Sequence, residues 1–332
     1  MKIAYISNLV EPTGGDRILY YHMNILRDKG HVVDPYFTGW IESYQDHDDG
    51  WNKPDSGIIS YNPHDLSKMD FSDYDMVIAN GLMGAQNVMT INHNNKVWFC
   101  QNFDPYIFGD REDVHNTYSY FDKYLVYSND LKKIINHYYG IKKKIIVCTN
   151  GIEYSKFAPY QNVDSKGSKR ICFMVAYYRN YKGIRFANEI FGKLKERGYI
   201  TVEINATAGP LDNTMEFFRN PSFERKSEIV ASCDVSIHPS VFETWNLTSM
   251  ESMALGTPVV GVNSKGIMEY ANDSNAVIFN DRNSDKICDA IDFLYNNYDK
   301  YYDLQMNGIR TAANYDWNNI SDNIELSYKE LL

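Results

Sequence analysis

"HPSVFETWNLTSMESMALGTPVV", residues 238–260, decides how the chain is read. With the apolar residues before it, "VSIHPS" (235–240) has the β-branched, turn-bounded character of a strand. "VFET" reads as the loop at that strand's carboxyl end. The spacing then predicts a helix starting near Asn246 and Leu247 and stopped by Gly256 and Pro258. Glu243 belongs to the loop, and Glu251 lies a turn or more into the helix. Between the two acids fall the first amides of the helix, which have no intrahelical partner and favour an anion.

Outward from this stretch, apolar strands alternate with amphipathic helices. "KIAYIS" (2–7), "HVVDPYF" (31–37), "MVIAN" (76–80), "KVWFCQN" (96–102), "KYLVYS" (123–128) and "KIIVCTNGI" (144–152) read as strands of a first half. "GGDRILYYHMNILRDKG" (14–30) carries apolar residues at helical spacing, and "SNDLKKIINHYYG" (128–140) is a helix with Ser128 as its cap and Gly140 as its stop. The polar segment "QNVDSKGSK" (161–169) reads as a linker. Beyond it, "RICFMVAYY" (170–178), "TVEINATAG" (201–209), "VSIHPS", "TPVVGV" (257–262) and "NAVIF" (275–279) are strands of a second half, followed by a helical tail from Ser284. This alternation predicts a doubly wound parallel sheet in each half.

Composition narrows the function classes. The 332 residues suit about two domains. A net charge of -10 argues against nucleic acid as a whole-surface partner. No apolar run is long enough to span a membrane, and the N-terminus reads as a first strand rather than a signal peptide. A cytoplasmic location is expected. Five scattered cysteines read as buried thiols.

Further candidates stand at predicted strand ends. Arg179 and Lys182 follow the strand 170–178 and suit phosphate oxygens, as a guanidinium fork and a point charge. Gly14 and Gly15 let the backbone come close to a ligand. Asp104, in "WFCQNFDPYIF" (98–108), reads either as a base for an acceptor hydroxyl or as the start of an Asp-Pro turn. Two Asp-x-Asp patterns, Asp46-His47-Asp48 and Asp73-Tyr74-Asp75, are short enough to arise by chance, and no metal or other cofactor is expected. His22, His93 and His238 lack ligand-spaced partners. Lys132 to Lys144, basic with interleaved tyrosines, reads as a solvated face or as a contact for an anionic surface, which would make the protein peripheral at a membrane.

Residues 238–261 resemble the E-x7-E region of the retaining GT-B glycosyltransferases of the GT4-like group. Glu243, Glu251 and "MALGTPVVG" match its pattern, while Thr244-Trp245-Asn246-Leu247 stands where that group has Gly-Phe-Gly-Leu. "RNYKG" (179–183), "PTGGDRILYYHMNILRDKGHVV" (12–33), "TNGIEYSKFAP" (149–159) and the closing "YDWNNISDNIELSYKELL" (315–332) are similar to the group's other segments. The resemblance implies two Rossmann-like domains facing across a cleft: 1–160 on the acceptor side, 161–314 binding a nucleotide-sugar, and a helix 315–332 that returns to the first domain.

It also implies roles. Arg179, Lys182 and the helix start at Asn246, Leu247 and Thr248 would hold a donor diphosphate. Glu243 would orient the transferred sugar and Glu251 the ribose, while Gly15 would approach the ligand. Trp245 and Asn246 would shape the sugar pocket. The expected activity is metal-independent transfer of a hexose or deoxyhexose, from a UDP-sugar or similar donor, to a hydroxyl of a glycan, a lipid-linked acceptor or a cell-envelope precursor. Alternatives are an enzyme glycosylating hydroxymethylated bases in DNA, a nucleotide-sugar epimerase, or a non-catalytic homologue on the same fold.

Overall fold

The computed structural model describes residues 1–8, 14–38, 59–60, 63–140, 142–163, 167–206 and 208–332. They form two compact units, Met1–Asn150 with Ile320–Leu332, and Gly151–Asn319. In the first, strands β1 (Lys2–Ser7), β2 (Val32–Phe37), β3 (Ile59–Ser60), β4 (Met76–Asn80), β5 (Lys96–Cys100), β6 (Lys123–Val126) and β7 (Lys144–Val147) make one sheet. Its order is β3-β2-β1-β4-β5-β6-β7, and every pairing is parallel. The central strands β1 and β4 are buried almost throughout, as strands covered by helices on both faces must be.

The second unit contains β8 (Arg170–Val175), β9 (Ile200–Asn205), β10 (Glu216–Arg219), β11 (Val235–His238), β12 (Val259–Val262) and β13 (Ala276–Phe279). They are ordered β10-β9-β8-β11-β12-β13, again all parallel. Helix Ile184–Glu196 lays Phe186, Ile190 and Leu194 on β8 and β11, so one apolar stripe and two strands share one core. Thus both halves are α/β with parallel sheets, as the alternation implies. Two strands escape the sequence pattern. β10 is an edge strand whose residues are only partly buried, so no alternation marks it. β3 has two residues.

The sequence expectations for local signals hold at several points. Ser128 caps its helix by accepting the Leu131 amide at 3.1 Å. The five cysteines are all buried, and none forms a disulfide. Among the described residues, no helix is long and apolar enough to cross a membrane.

The final helix, Trp317–Lys329, belongs to the first unit from Ile320 onward. Buried Tyr328 meets the Tyr5 hydroxyl and lies 2.9 Å from Nδ1 of His22. Around it, Lys29 pairs with Asp322, and His31 with Glu325 at 2.9 Å.

Two histidines are fully enclosed, His22 in the first unit and His238 at the end of β11, and burial pushes each imidazole down to about 3. In the unfolded chain each would titrate near 6.5, so the unfolded state binds the extra proton first. Stability is therefore complete above that value and declines as pH falls towards 3. Urea unfolding between pH 6.5 and 5 should show a loss of up to about 1.4 kcal/mol per pH unit for each histidine. Asp104, whose carboxyl burial raises to about 6, opposes this slope in the same window. His22→Gln should make the decline shallower, and a slope unchanged from the parent's would contradict the assignment.

Candidate functional site

The site in the second unit is built where β8 and β11 end. After β8 the chain turns through Arg179–Lys182 and reaches Gly183 with φ +70°, a left-handed conformation suited to glycine. A Cβ at Gly183 would lie 2.0 Å from the Pro239 carbonyl oxygen, so the two loops touch backbone to backbone. The Val241 amide donates to the Tyr181 carbonyl at 2.7 Å and stitches them.

On its other side the β11 loop is tied to residues 264–266. Glu243 N–H donates to Ser264 O, and Gly266 N–H donates to Glu243 O, both at 2.8 Å. A Cβ at Gly266 would lie 2.1 Å from the Thr244 carbonyl carbon, so only glycine lets the strands of this bridge approach. Held from both sides, Glu243 receives Lys182: Nζ is 2.8 Å from each carboxylate oxygen. Two residues singled out from sequence thus form one ion pair, with side chains 25% and 14% exposed.

Helix Leu247–Ala254 starts where expected, with Asn246 as its cap. Asn246 adopts φ 68° and ψ 72°, which explains how an asparagine replaces a glycine here: asparagine is among the few side chains that tolerate this region. Its Oδ1 accepts from the Ser249 amide at 3.2 Å and the Thr248 hydroxyl at 3.1 Å, and its carbonyl accepts from the Tyr270 hydroxyl at 2.6 Å. The amides of Leu247 and Thr248, first in the helix, have no partner within it. Trp245 is 4% exposed, its indole packed on Tyr270 and Tyr315 at ring distances of 5.2 and 5.3 Å. The loop uses it as an apolar anchor.

Glu251 is buried on the same helix, and its Oε2 lies 2.8 Å from Nζ of Lys226. Lys226, on helix Phe223–Ala231, was not marked by any local pattern, because the pair joins distant elements. Arg179 is exposed, and its carbonyl accepts the Lys182 amide at 2.9 Å. A second residue without sequence signal is Glu203 on β9, which is 0% exposed. Its carboxylate accepts from Asn205 Nδ2 at 2.7 Å, Leu211 N–H at 2.8 Å, the Thr214 hydroxyl at 2.6 Å and the Tyr178 hydroxyl. It thereby anchors the residue just before Arg179.

Gly15 and Asp104 belong to the first unit. The Gly15 carbonyl accepts from Gln101 Nε2 at 3.0 Å, and the same amide nitrogen reaches Asn80 Oδ1 at 2.7 Å. Asn80 Nδ2 in turn donates to the Ser7 hydroxyl at 3.0 Å. Asp104 opens a short helix with Pro105 behind it, the turn alternative. It is 7% exposed, with the Tyr118 hydroxyl 2.9 Å from Oδ2, and burial raises its carboxyl to about 6.

Of the Asp-x-Asp patterns, Asp46-His47-Asp48 lies outside the described residues. Asp75 of the other accepts the Lys2 amide at 2.7 Å, a contact at the amino-terminal end of β1. Among the described residues, no group of three His, Cys, Asp or Glu could hold a metal. In the basic stretch, Lys143 donates to the Phe121 carbonyl at 2.5 Å and Lys133 pairs with Asp130 at 3.6 Å, while Lys142 and Lys144 are exposed.

Residues 160–311 match the family model described as glycosyl transferases group 1. No curated protein matches the chain in sequence. Solved structures share its fold over nearly the whole length. HepE of Anabaena in complex with UDP-glucose superposes with a TM-score of 0.76 at 15% identity, covering 99% of this chain and 100% of that one. Sucrose-phosphate synthase of Thermosynechococcus elongatus gives 0.75 at 13%, covering 100% and 99%. A TarM mutant of S. aureus in complex with Fondaparinux, alpha-GlcNAc-glycerol and UDP gives 0.75 at 11%, covering 100% and 99%. The chain has the GT-B fold.

The cap geometry makes a prediction of its own. Asn246→Gly keeps the left-handed backbone and should cost only about 0.5 kcal/mol. Asn246→Val loses the cap and strains the backbone, and should cost roughly 2–3 kcal/mol. Urea unfolding of the full chain separates the two; equal losses would show that the left-handed conformation is not what the position requires.

Proposed function

We propose that this chain is a retaining glycosyltransferase of the GT4-like group, moving a hexose or deoxyhexose from a nucleotide-diphosphate sugar to an acceptor hydroxyl. The observation that carries this reading is the Lys182–Glu243 pair set beside the capped start of helix Leu247–Ala254. Lys182, Arg179 and the first helix amides are groups that stabilise the charge of a departing diphosphate, where such preorganised donors act most strongly. They do so without a metal. The Glu243 carboxylate, already within reach of Lys182, accepts from hydroxyls of the transferred sugar, and Glu251 accepts from the ribose. HepE, of the same fold, is solved with UDP-glucose and with UDP, which supports UDP as the first donor nucleotide to try. Asp104 is left out, because its carboxyl faces Tyr118. The acceptor is a glycan or a cell-envelope precursor.

A thermal-shift screen with UDP-, ADP- and GDP-sugars should raise the melting temperature with at least one of them. With that donor, product should form in the presence of EDTA, and its anomeric configuration, read by NMR, should match the donor's. Lys182→Met and Glu243→Gln should each lower kcat/KM by about 10²–10³. The Lys182→Met, Glu243→Gln double variant controls for folding, since it leaves neither charge behind. A protein that no nucleotide-sugar stabilises, with single variants indistinguishable from the parent, would overturn the proposal.

A further inference from the structure

We propose that Lys226 is a positioning residue for the ribose of the nucleotide, acting through Glu251, and that it sets the preference of this site for ribonucleotides over 2′-deoxyribonucleotides. The inference rests on the reading of Glu251 as the ribose acceptor given above.

The two residues lie on different helices, Phe223–Ala231 and Leu247–Ala254, so their pairing is imposed by the fold. Nζ of Lys226 is 2.8 Å from Oε2 of Glu251, and the side chains are 23% and 11% exposed. A fully exposed pair of this kind would contribute little, but here both partners are largely withdrawn from water, where a charged hydrogen bond holds its geometry. The lysine ammonium also lies 5.9 Å from the centre of the Phe223 ring, which limits where the head group can go.

The consequence falls on the glutamate. A glutamate side chain has three torsions, and holding one carboxylate oxygen narrows the positions open to the other. A ligand hydroxyl then meets an acceptor already ordered, so less entropy is lost on binding. The second pair of the site, Lys182 with Glu243, differs in kind, because Lys182 belongs to the loop that suits phosphate. Lys226 instead comes from a helix with its own cap, Ser222, which accepts the Arg225 amide at 3.2 Å. Its role is to orient an acid.

The test uses the full chain and calorimetric Kd values for UDP, ADP and GDP, then for the 2′-deoxy form of whichever binds best. Parent, Lys226→Met, Lys226→Arg and Glu251→Gln are compared. The parent should favour the ribonucleotide by about tenfold or more, as expected for a hydroxyl donating to a carboxylate. Lys226→Met should reduce that ratio to about threefold or less, Lys226→Arg should keep it, and Glu251→Gln should reduce it as far as Lys226→Met. Melting curves without nucleotide should show each variant folded.

An unchanged ratio in Lys226→Met, or an equal loss of affinity for both nucleotides, overturns the inference; the second result would mark a phosphate contact. If Glu251→Gln leaves the ratio unchanged, the ribose role of Glu251 fails as well. If Glu251→Gln collapses the ratio and Lys226→Met does not, only the role of Lys226 falls. If none of the three nucleotides binds the parent, both readings fall together.

Discussion

The site of the second unit depends on one steric fact, the approach of the Gly183 backbone to the Pro239 carbonyl. With a Cβ only 2.0 Å from that oxygen, no other residue fits without moving a loop. The contact fixes the distance between the loop after β8 and the loop after β11. The Val241–Tyr181 hydrogen bond at 2.7 Å then fixes their register. Lys182 precedes Gly183 directly, so its reach to Glu243 follows from this placement rather than from a preference of the two side chains. Sequence separation of 61 residues is bridged by backbone geometry first and by charge second.

A second set of backbone constraints places the helix start. Gly266 admits the Thr244 carbonyl, and the hydrogen bonds of Glu243 to residues 264–266 hold the loop from the far side. Buried Trp245 pins it from below. Asn246 then turns the chain through the left-handed region into the helix. The substitution of Thr-Trp-Asn for the small residues of the related pattern is therefore compatible with the same path. Thr244 needs no unusual backbone torsion, and only Asn246 occupies a region where glycine would be the default. What changes is the cap: an asparagine supplies an acceptor for the Ser249 amide, which a glycine cannot.

Legibility followed the range of the interactions. Strands buried on both faces, such as β1, β4 and β11, announce themselves as continuous apolar runs, and the helix after β11 as a capped, glycine-stopped segment. Edge strand β10 does not, since its residues are half-exposed. At the site, Glu243, Lys182 and Asn246 were legible because each stands at a strand or helix end, where the local pattern itself says that a side chain meets a ligand. Lys226 and Glu203 were not. Lys226 lies mid-helix among ordinary polar residues, and Glu203 sits inside "TVEIN", which reads only as a strand. Their importance comes from partners on other elements, and no spacing rule along one segment carries that information. Asp104 shows the converse. A local pattern offers two readings, base or turn, and the contact with Tyr118, on another helix, could not be read from it.

The ends of the two sheets also differ in chemistry. In the second unit they carry paired charges, Lys182 with Glu243 and Lys226 with Glu251. In the first unit, Ser7, Asn80, Gln101 and the Gly15 carbonyl form a chain of neutral donors and acceptors at the ends of β1, β4 and β5. Such a chain does not attract ions at a distance. A ligand entering it would be selected by matching, because one that fails to replace a buried hydrogen bond leaves a polar group unsatisfied, at a cost of about 1–3 kcal/mol. A neutral polyhydroxylated ligand meets that requirement better than an anion does, since hydroxyls donate and accept at once and can enter the chain at any link. Under the proposed function, the charge of the reaction would fall to the second unit, and selection among hydroxyls to the neutral chain of the first.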